Sequence, residues 1–299
     1  MALRFLISTS NILLGGTFVI FISLLTWNFP WQIKRFNQNT TSNMALAART
    51  VLITGASRGL GLEYVKQLIK LSSPPEILIA ACRDPHSALQ LQALAKGSSS
   101  VKVIKLDVEI DDSIQSAFKE VKALVGGHGL NLLINNAAIY DQKDEGRLEQ
   151  QTRSRLQKHF DINVSGPLIV TQTFLPLLQQ AASQNKDKPL SCSKAGVIMM
   201  TSYMGSQQIT FTDGAGEAIH YKTSKSALTM AAVILSRELK ESGIFVAALH
   251  PGWVRTDMGG DHAMFSPEDS IKGCLKVIGT AGEDFNGKLL TFEGNILPY

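Results

Sequence analysis

Residues 50–61 read Thr-Val-Leu-Ile-Thr-Gly-Ala-Ser-Arg-Gly-Leu-Gly. Val51, Leu52 and Ile53 have the β-branched and apolar character of a buried strand. Leu62, Val65, Leu68 and Ile69 follow at helical spacing. Between the two patterns stand Gly55, Gly59 and Gly61. Strand, glycine turn and helix together are the context of a dinucleotide-binding loop, in which the glycines close the turn and let a pyrophosphate approach amides at a helix N-terminus. A tight turn can want glycine for sterics alone, but the strand before this one and the helix after it favour phosphate binding.

Working outward, apolar runs and helical patterns alternate. Glu76–Cys82, Val101–Leu106, Leu130–Asn135, Ala195–Thr201, Ile244–Leu249 and Lys288–Phe292 read as further strands. Helices are expected over Ser87–Ala95, Asp111–Val125, residues 152–180 with an interruption at Pro167, Tyr221–Ser242 and Ser266–Ile278. Tyr203–His220 reads as an extended loop. Strands alternating with helices imply right-handed crossovers and a mostly parallel sheet. The expected fold is α/β: a single doubly wound, Rossmann-type domain over residues 44–299 with a seven-stranded sheet flanked by helices.

Residues 1–43 differ in character. Phe5–Trp27 is 23 residues without a charge, long enough to cross a bilayer. Arg4 precedes it, and Lys34 and Arg35 follow. The segment is expected to be a membrane anchor that leaves the domain facing the cytosol. Met44 offers the alternative of a cytoplasmic chain that starts there. Removing the three basic residues of this segment leaves 26 basic against 25 acidic residues, so no electrostatic footprint for nucleic acid exists. Cys82, Cys192 and Cys274 are widely spaced, form no CxxC and point to no metal site or disulfide framework.

The chemistry gathers at the predicted strand ends. Arg83 follows the second strand, where an arginine accommodates the 2′-phosphate of NADP, and Arg58 can reach the same phosphate. Asp84 is the competing reading, an acid for the ribose of NAD. Asp107 ends the third strand, where it meets the adenine or caps the next segment. Tyr221 and Lys225 are i and i+4 on a predicted helix and share a face. An ammonium beside a phenol lowers the phenol's pKa and makes it a suitable general acid for a carbonyl. Ser202 ends the fifth strand, where a hydroxyl can hold a carbonyl oxygen. Asn163 sits within a predicted helix, an unfavourable place for asparagine on propensity, and a local hydrogen-bonding role or the capping of a bent helix explains it.

Thr54-Gly55-x-x-x-Gly59-x-Gly61, Asn135-Asn136-Ala137, Asn163, Ser202, Tyr221-x-x-x-Lys225 and Pro251-Gly252 together resemble the short-chain dehydrogenase/reductase family over residues 48–299. Within it, His250–Gly260 and Thr291–Gly294 resemble carbonyl reductases of the sniffer and C-factor type. The resemblance implies an NADPH-dependent oxidoreductase that reduces an aldehyde or ketone to an alcohol. Tyr221 would donate the proton, Lys225 would lower its pKa and hold the nicotinamide ribose, Ser202 would orient the carbonyl and Asn163 would hold a relay water. NADP(H) contacts are implied at Gly55, Ser57, Arg58, Gly59, Leu60, Gly61, Arg83, Asp107, Val108, Asn136, Ala137, Tyr221, Lys225, Pro251, Gly252, Val254 and Thr256. A homodimer through the helices around 152–180 and 221–242 is also implied. The usual Asn-Asn-Ala-Gly is Asn-Asn-Ala-Ala here, ending at Ala138. The rival reading is a non-catalytic NADP-binding redox sensor on the same fold, which the intact Asn163, Ser202, Tyr221 and Lys225 set opposes.

Overall fold

The structure, a computed structural model, describes residues 46–213 and 216–299. Eight strands form one sheet: β1 (Thr50–Thr54), β2 (Ile77–Cys82), β3 (Val101–Lys105), β4 (Leu132–Asn135), β5 (Gly196–Met200), β6 (Phe245–His250), β7 (Leu289–Thr291) and β8 (Ile296–Leu297). Their spatial order is β3-β2-β1-β4-β5-β6-β7-β8. β1, β4 and β5 are buried along their whole length, as apolar runs without alternation require when both faces of a parallel strand are covered. The eighth strand was not expected. It is two residues long and runs antiparallel to β7, with Leu290 opposite Ile296, too short to leave a pattern in sequence.

Among the described residues, eight α-helices accompany the strands: α1 (Gly59–Leu68), α2 (Leu89–Gly97), α3 (Asp111–Val125), α4 (Arg153–Phe160), α5 (Gly166–Gln184), α6 (Gln207–Asp213), α7 (Ile219–Glu238) and α8 (Pro267–Thr280). Tyr64, Val65 and Leu68 of α1 join Ile271, Cys274 and Ile278 of α8 in the core on one face of the sheet. Ile114 and Val121 of α3, Phe174 and Leu178 of α5, and Leu228 and Ala232 of α7 fill the other. β1 pairs with β2 on one side and β4 on the other. The crossovers therefore leave β1 in opposite directions, and a crevice opens at the carboxyl ends of β1 and β4, where doubly wound sheets take their ligands.

Two expected elements differ. The long helix over 152–180 is interrupted not at Pro167 but just before it, by a π-helical turn at Asp161–Ser165 between α4 and α5. Pro167 sits in the first turn of α5, directly after the π turn, and donates no N–H back to it. The stretch read as a loop over Tyr203–His220 contains α6. The N-terminal reading also needs correction. Among the described residues no helix is long and apolar enough to cross a membrane, and the anchor expected at residues 5–27 lies outside them, so the membrane-anchored placement is withdrawn.

Phe174 of α5 lies in the core on the α3/α5 face of the sheet. It is fully buried and meets Phe118 edge to face, with ring centroids 5.6 Å apart. Phe174→Ala is expected to cost about 3–5 kcal/mol, read as a lower urea midpoint with an unchanged m-value. A loss below about 1 kcal/mol would mean that the helix repacks over the sheet.

Candidate active site

The crevice is fixed by a knot between two strand ends. Thr54 Oγ1 accepts from the backbone N–H of Asn136 and of Ala137, both at 3.0 Å. Asn136 Nδ2 returns hydrogen bonds to the carbonyls of Thr54 (2.9 Å) and Gly55 (3.2 Å). Gly55 then turns at φ +67° and Gly59 at +53°, in the left-handed region that glycine enters freely. Gly61 is required for a different reason. A Cβ there would collide with the Gly55 carbonyl and lie 2.7 Å from Asn136 Nδ2.

From this knot a cleft of about 630 Å³ runs along the carboxyl edge of the sheet. One end is lined by Arg83 and Asp107, the middle by the glycine loop, and the other end by Tyr221, Lys225 and Thr256. Arg83 is exposed. Asp84, the competing ribose acid, turns its carboxylate onto its own loop and accepts from the N–H of His86 (3.0 Å) and Ser87 (3.4 Å). A hydrogen bond from the Ser87 hydroxyl holds its carboxyl below the usual range. Arg58 Nη1 crosses the mouth of the cleft to Asp257 Oδ2 at 3.1 Å. Both side chains are about three-quarters exposed (74% and 78%), so the pair contributes little and exchanges easily. Asp107 accepts from the N–H of Glu109 at 3.1 Å, as a cap of the next segment does, and also lines the cleft.

At the far end Tyr221 and Lys225 share the inner face of α7 and are both buried, at 8% and 2% exposure. Burial pushes the Tyr221 phenol up, the nearby Tyr140 adds to this, and a hydrogen bond with Ser202 pulls it back. Burial pulls the Lys225 ammonium down to about 7. Its Nζ donates to the Met200 carbonyl at 2.9 Å and lies 5.7 Å from the Tyr221 ring centroid. The ammonium is thus turned to a carbonyl and not to the phenol, and the phenol rises where the sequence led us to expect a fall. Asn163 is fully buried in the π turn. Its Oδ1 accepts from the N–H of Ile139 at 2.9 Å, and its Nδ2 donates to the Ile139 carbonyl and to Ser224 Oγ, both at 3.0 Å. It ties the segment after β4 to α7.

A glycine loop on a strand-to-helix turn, a knot holding it open, a serine just beyond β5 and a tyrosine and lysine on the α7 face beside it are one arrangement. The short chain dehydrogenase family model matches residues 49–264. The chain belongs to that family. It is 39% identical to the NADPH-bound carbonyl reductase from chicken fatty liver, with a TM-score of 0.80, covering 85% of this chain and 100% of that one. It is 34% identical to the carbonyl reductase Sniffer of D. melanogaster, with a TM-score of 0.81, covering 84% of this chain and 100% of that one. An uncharacterized oxidoreductase of Schizosaccharomyces pombe is 29% identical in an alignment of 273 positions that covers 86% of this chain and all of that one.

In this short-chain dehydrogenase the cleft gathers most of the expected residues: Gly55, Ser57, Arg58, Gly59, Leu60 and Gly61 from the loop, Val108, Asn136 and Ala137 from the next turns, and Pro251 beyond β6. Gly252 and Val254 stand apart. A Cβ at Gly252 would lie 2.9 Å from the rings of Phe265 and Phe292, so its glycine serves aromatic packing. Val254 is buried and bridges to Phe265. The sequence reading missed Asp257 and Met258, which line the cleft. Met258 accepts from Gln142 Nε2 through its carbonyl, a backbone contact that no motif announces. It also missed Tyr140, whose ring stacks on Tyr221 with centroids 4.4 Å apart.

The buried lysine gives a pH signature. An unfolded lysine keeps its proton to about pH 10.4, whereas Lys225 in the fold gives it up near 7. Between these values unfolding takes up a proton, and stability rises with pH. Lys225→Met removes this dependence. The stability of variant minus wild type, from urea midpoints, is expected to fall between about pH 7 and about pH 9.5. A flat difference would show that Lys225 titrates normally.

Proposed function

We propose that residues 44–299 form an NADPH-dependent carbonyl reductase in which Tyr221 is the proton donor. The chain is an oxidoreductase of its family, and its cofactor is NADP(H). The observation that carries the reading is the pairing of buried Tyr221 and Lys225 on one face of α7, lining the same cleft as the glycine loop. The residues present fit the dinucleotide: Gly55 and Gly61 leave no room for a side chain, and two arginines stand where an adenosine phosphate needs cations. When bound, the dinucleotide supplies the hydride that reduces the carbonyl carbon.

The chain's own residues do the rest. Loop amides and the N-terminus of α1 hold the pyrophosphate. Arg83 takes the 2′-phosphate, joined by Arg58 when it exchanges its exposed partner Asp257. Thr256 meets the carboxamide, and Lys225 holds the nicotinamide ribose. Ser202 orients the carbonyl oxygen, and Tyr221 hands its proton to that oxygen. A buried phenol with a raised pKa keeps its proton until charge develops on the oxygen beside it. Asn163 has both amide hydrogens engaged. Its remaining capacity for a relay water is a lone pair on Oδ1.

Tyr221→Phe tests the proton donor. NADPH consumption with phenylglyoxal is expected to fall about 10²–10⁴-fold while NADPH still binds. Equal turnover by variant and wild type would sink the reading. Arg83→Asp tests the phosphate contact. Losing a hydrogen bond to a charged group, about 1.5–3 kcal/mol, should weaken NADPH binding at least about tenfold and leave NADH use unchanged. Equal losses with both cofactors would place Arg83 outside phosphate recognition.

A further inference from the structure

Behind Tyr221 the chain buries two histidines that this reaction does not use. His159 on α4 is 1% exposed and His220, the residue before Tyr221, is 0% exposed. Their rings meet edge to face with centroids 4.4 Å apart. They grip one residue of the segment after β4. The Asp141 N–H donates to His159 Nε2 at 3.1 Å, and the Asp141 carbonyl accepts from His220 Nε2 at 3.0 Å. His159 Nδ1 donates to the Arg155 carbonyl at 2.8 Å. His220 Nδ1 faces Gln151 Nε2 at 3.3 Å, an amide nitrogen that shares its two hydrogens with the carbonyls of Gly146 (2.7 Å) and Arg147 (3.2 Å). An N–H only donates and a carbonyl only accepts. Each ring is therefore held in one neutral tautomer, Nδ1–H in His159 and Nε2–H in His220.

The gripped segment touches the proton donor twice. Tyr140, next to Asp141, lays its ring on Tyr221 at 4.4 Å between centroids and 29° between planes. Ala218 and Ile219, at the entry to α7, donate their N–H groups to the carbonyls of Glu145 (2.8 Å) and Gly146 (3.1 Å). Ala218 has φ +58°, alone among the described non-glycine residues in lying at positive φ. Such a backbone persists only where its surroundings over-determine it. A Cβ on Gly146 would lie 2.6 Å from His220 Cε1, so the segment and the ring are in full contact.

We propose that His220 and His159 are positioning residues for Tyr221. By holding both backbone groups of Asp141 they press Tyr140 against the Tyr221 ring and seat the first turn of α7. The proposal rests on the reading of Tyr221 as proton donor. Apolar side chains would fill the same space without the cost of burying two imidazoles. What they could not do is satisfy the Asp141 N–H and carbonyl together.

Neutrality is part of the device. Asp141, Asp144 and Arg155 face the pair from the segment and α4, and Tyr140 and Tyr221 from the active side. Burial pulls both histidines below their ordinary value; the carbonyls they donate to, of Arg155 and Asp141, oppose this, and the Arg155 charge adds to it. A proton on His159 would set N–H against the Asp141 N–H, and one on His220 against the Gln151 amide. Unfolded histidine takes its proton near pH 6.5. The seat is fully held above that pH and weakens as pH falls below it.

The test compares wild type, His220→Leu and His220→Gln by hydrogen exchange and by kinetics. Losing these hydrogen bonds should raise exchange in 139–151 and 217–224 about tenfold in the leucine variant. Exchange in β4 and β5 should stay as in wild type. Its kcat should fall by a similar factor with NADPH affinity unchanged, and glutamine, which keeps a donor and an acceptor, should restore most of both. Wild type alone should show the same two segments loosening, after correction for intrinsic rates, between about pH 7.5 and 5.5, which keeps the proposal open to failure if the leucine variant does not fold. Wild-type exchange in both segments of the leucine variant overturns it. So does a rise spread evenly over the sheet, no response of wild type to acid, or a loss of kcat that glutamine does not relieve. A wild type that never consumes NADPH sinks the reductase reading instead, and the exchange data still decide whether the histidines seat α7.

Discussion

Four hydrogen bonds between Thr54 and Gly55 on one side and Asn136 and Ala137 on the other tie the carboxyl end of β1 to that of β4. Parallel strands finish their ladders with unpaired amides and carbonyls, which must find partners when buried. Here Thr54 and Asn136 supply them from their own side chains. Each bond contributes only about 0.5–1.5 kcal/mol net, but together they fix where the crevice opens. The glycine loop follows directly from the knot, and the close packing of Gly61 against the Gly55 carbonyl carries it into α1. The proposed proton donor at the other end of the cleft is placed relative to that frame through Asn163, which ties the segment leaving the knot to α7.

The opposite end of the cleft shows polar chemistry held against burial. Tyr221, Lys225, Ser202 and Asn163 are all buried, and a buried polar group needs a partner or loses its charge. Asn163 and Ser202 found partners. Among the described residues Lys225 found a carbonyl but no counter-charge, and its ammonium is correspondingly easy to discharge. The π turn is part of this solution. An extra residue in the turn re-aims a side chain, and Asn163 thereby reaches both Ile139 and Ser224.

Much of this was legible in residues 50–61 and in the Tyr221-to-Lys225 spacing because both are local patterns. The strand and helix around the glycines are set by nearby apolar residues, and an i, i+4 pair shares a face in any helix. What sequence could not show arises from distant contacts. α6 and β8 are short, and β8 exists only because β7 offers an edge. The Arg58–Asp257 pair spans 199 residues of chain. The grip of His159 and His220 on Asp141 depends on three segments meeting. The phenol's upward shift is likewise a property of burial, and the i, i+4 pattern that brings lysine near tyrosine has no term for depth.

The ease with which Lys225 loses its charge makes the site sort ligands by their own. Near neutral pH the charged and uncharged lysine stand close in free energy, because burial has brought its titration to about 7. A small molecule that presents an anion beside Nζ draws the protonated form and binds with proton uptake, so its affinity declines as the solution becomes more alkaline. An uncharged molecule of the same shape only adds to the burial, favours the neutral form instead and shows no such decline. Compounds tried against this cleft at one pH alone would therefore be ranked partly by the buffer.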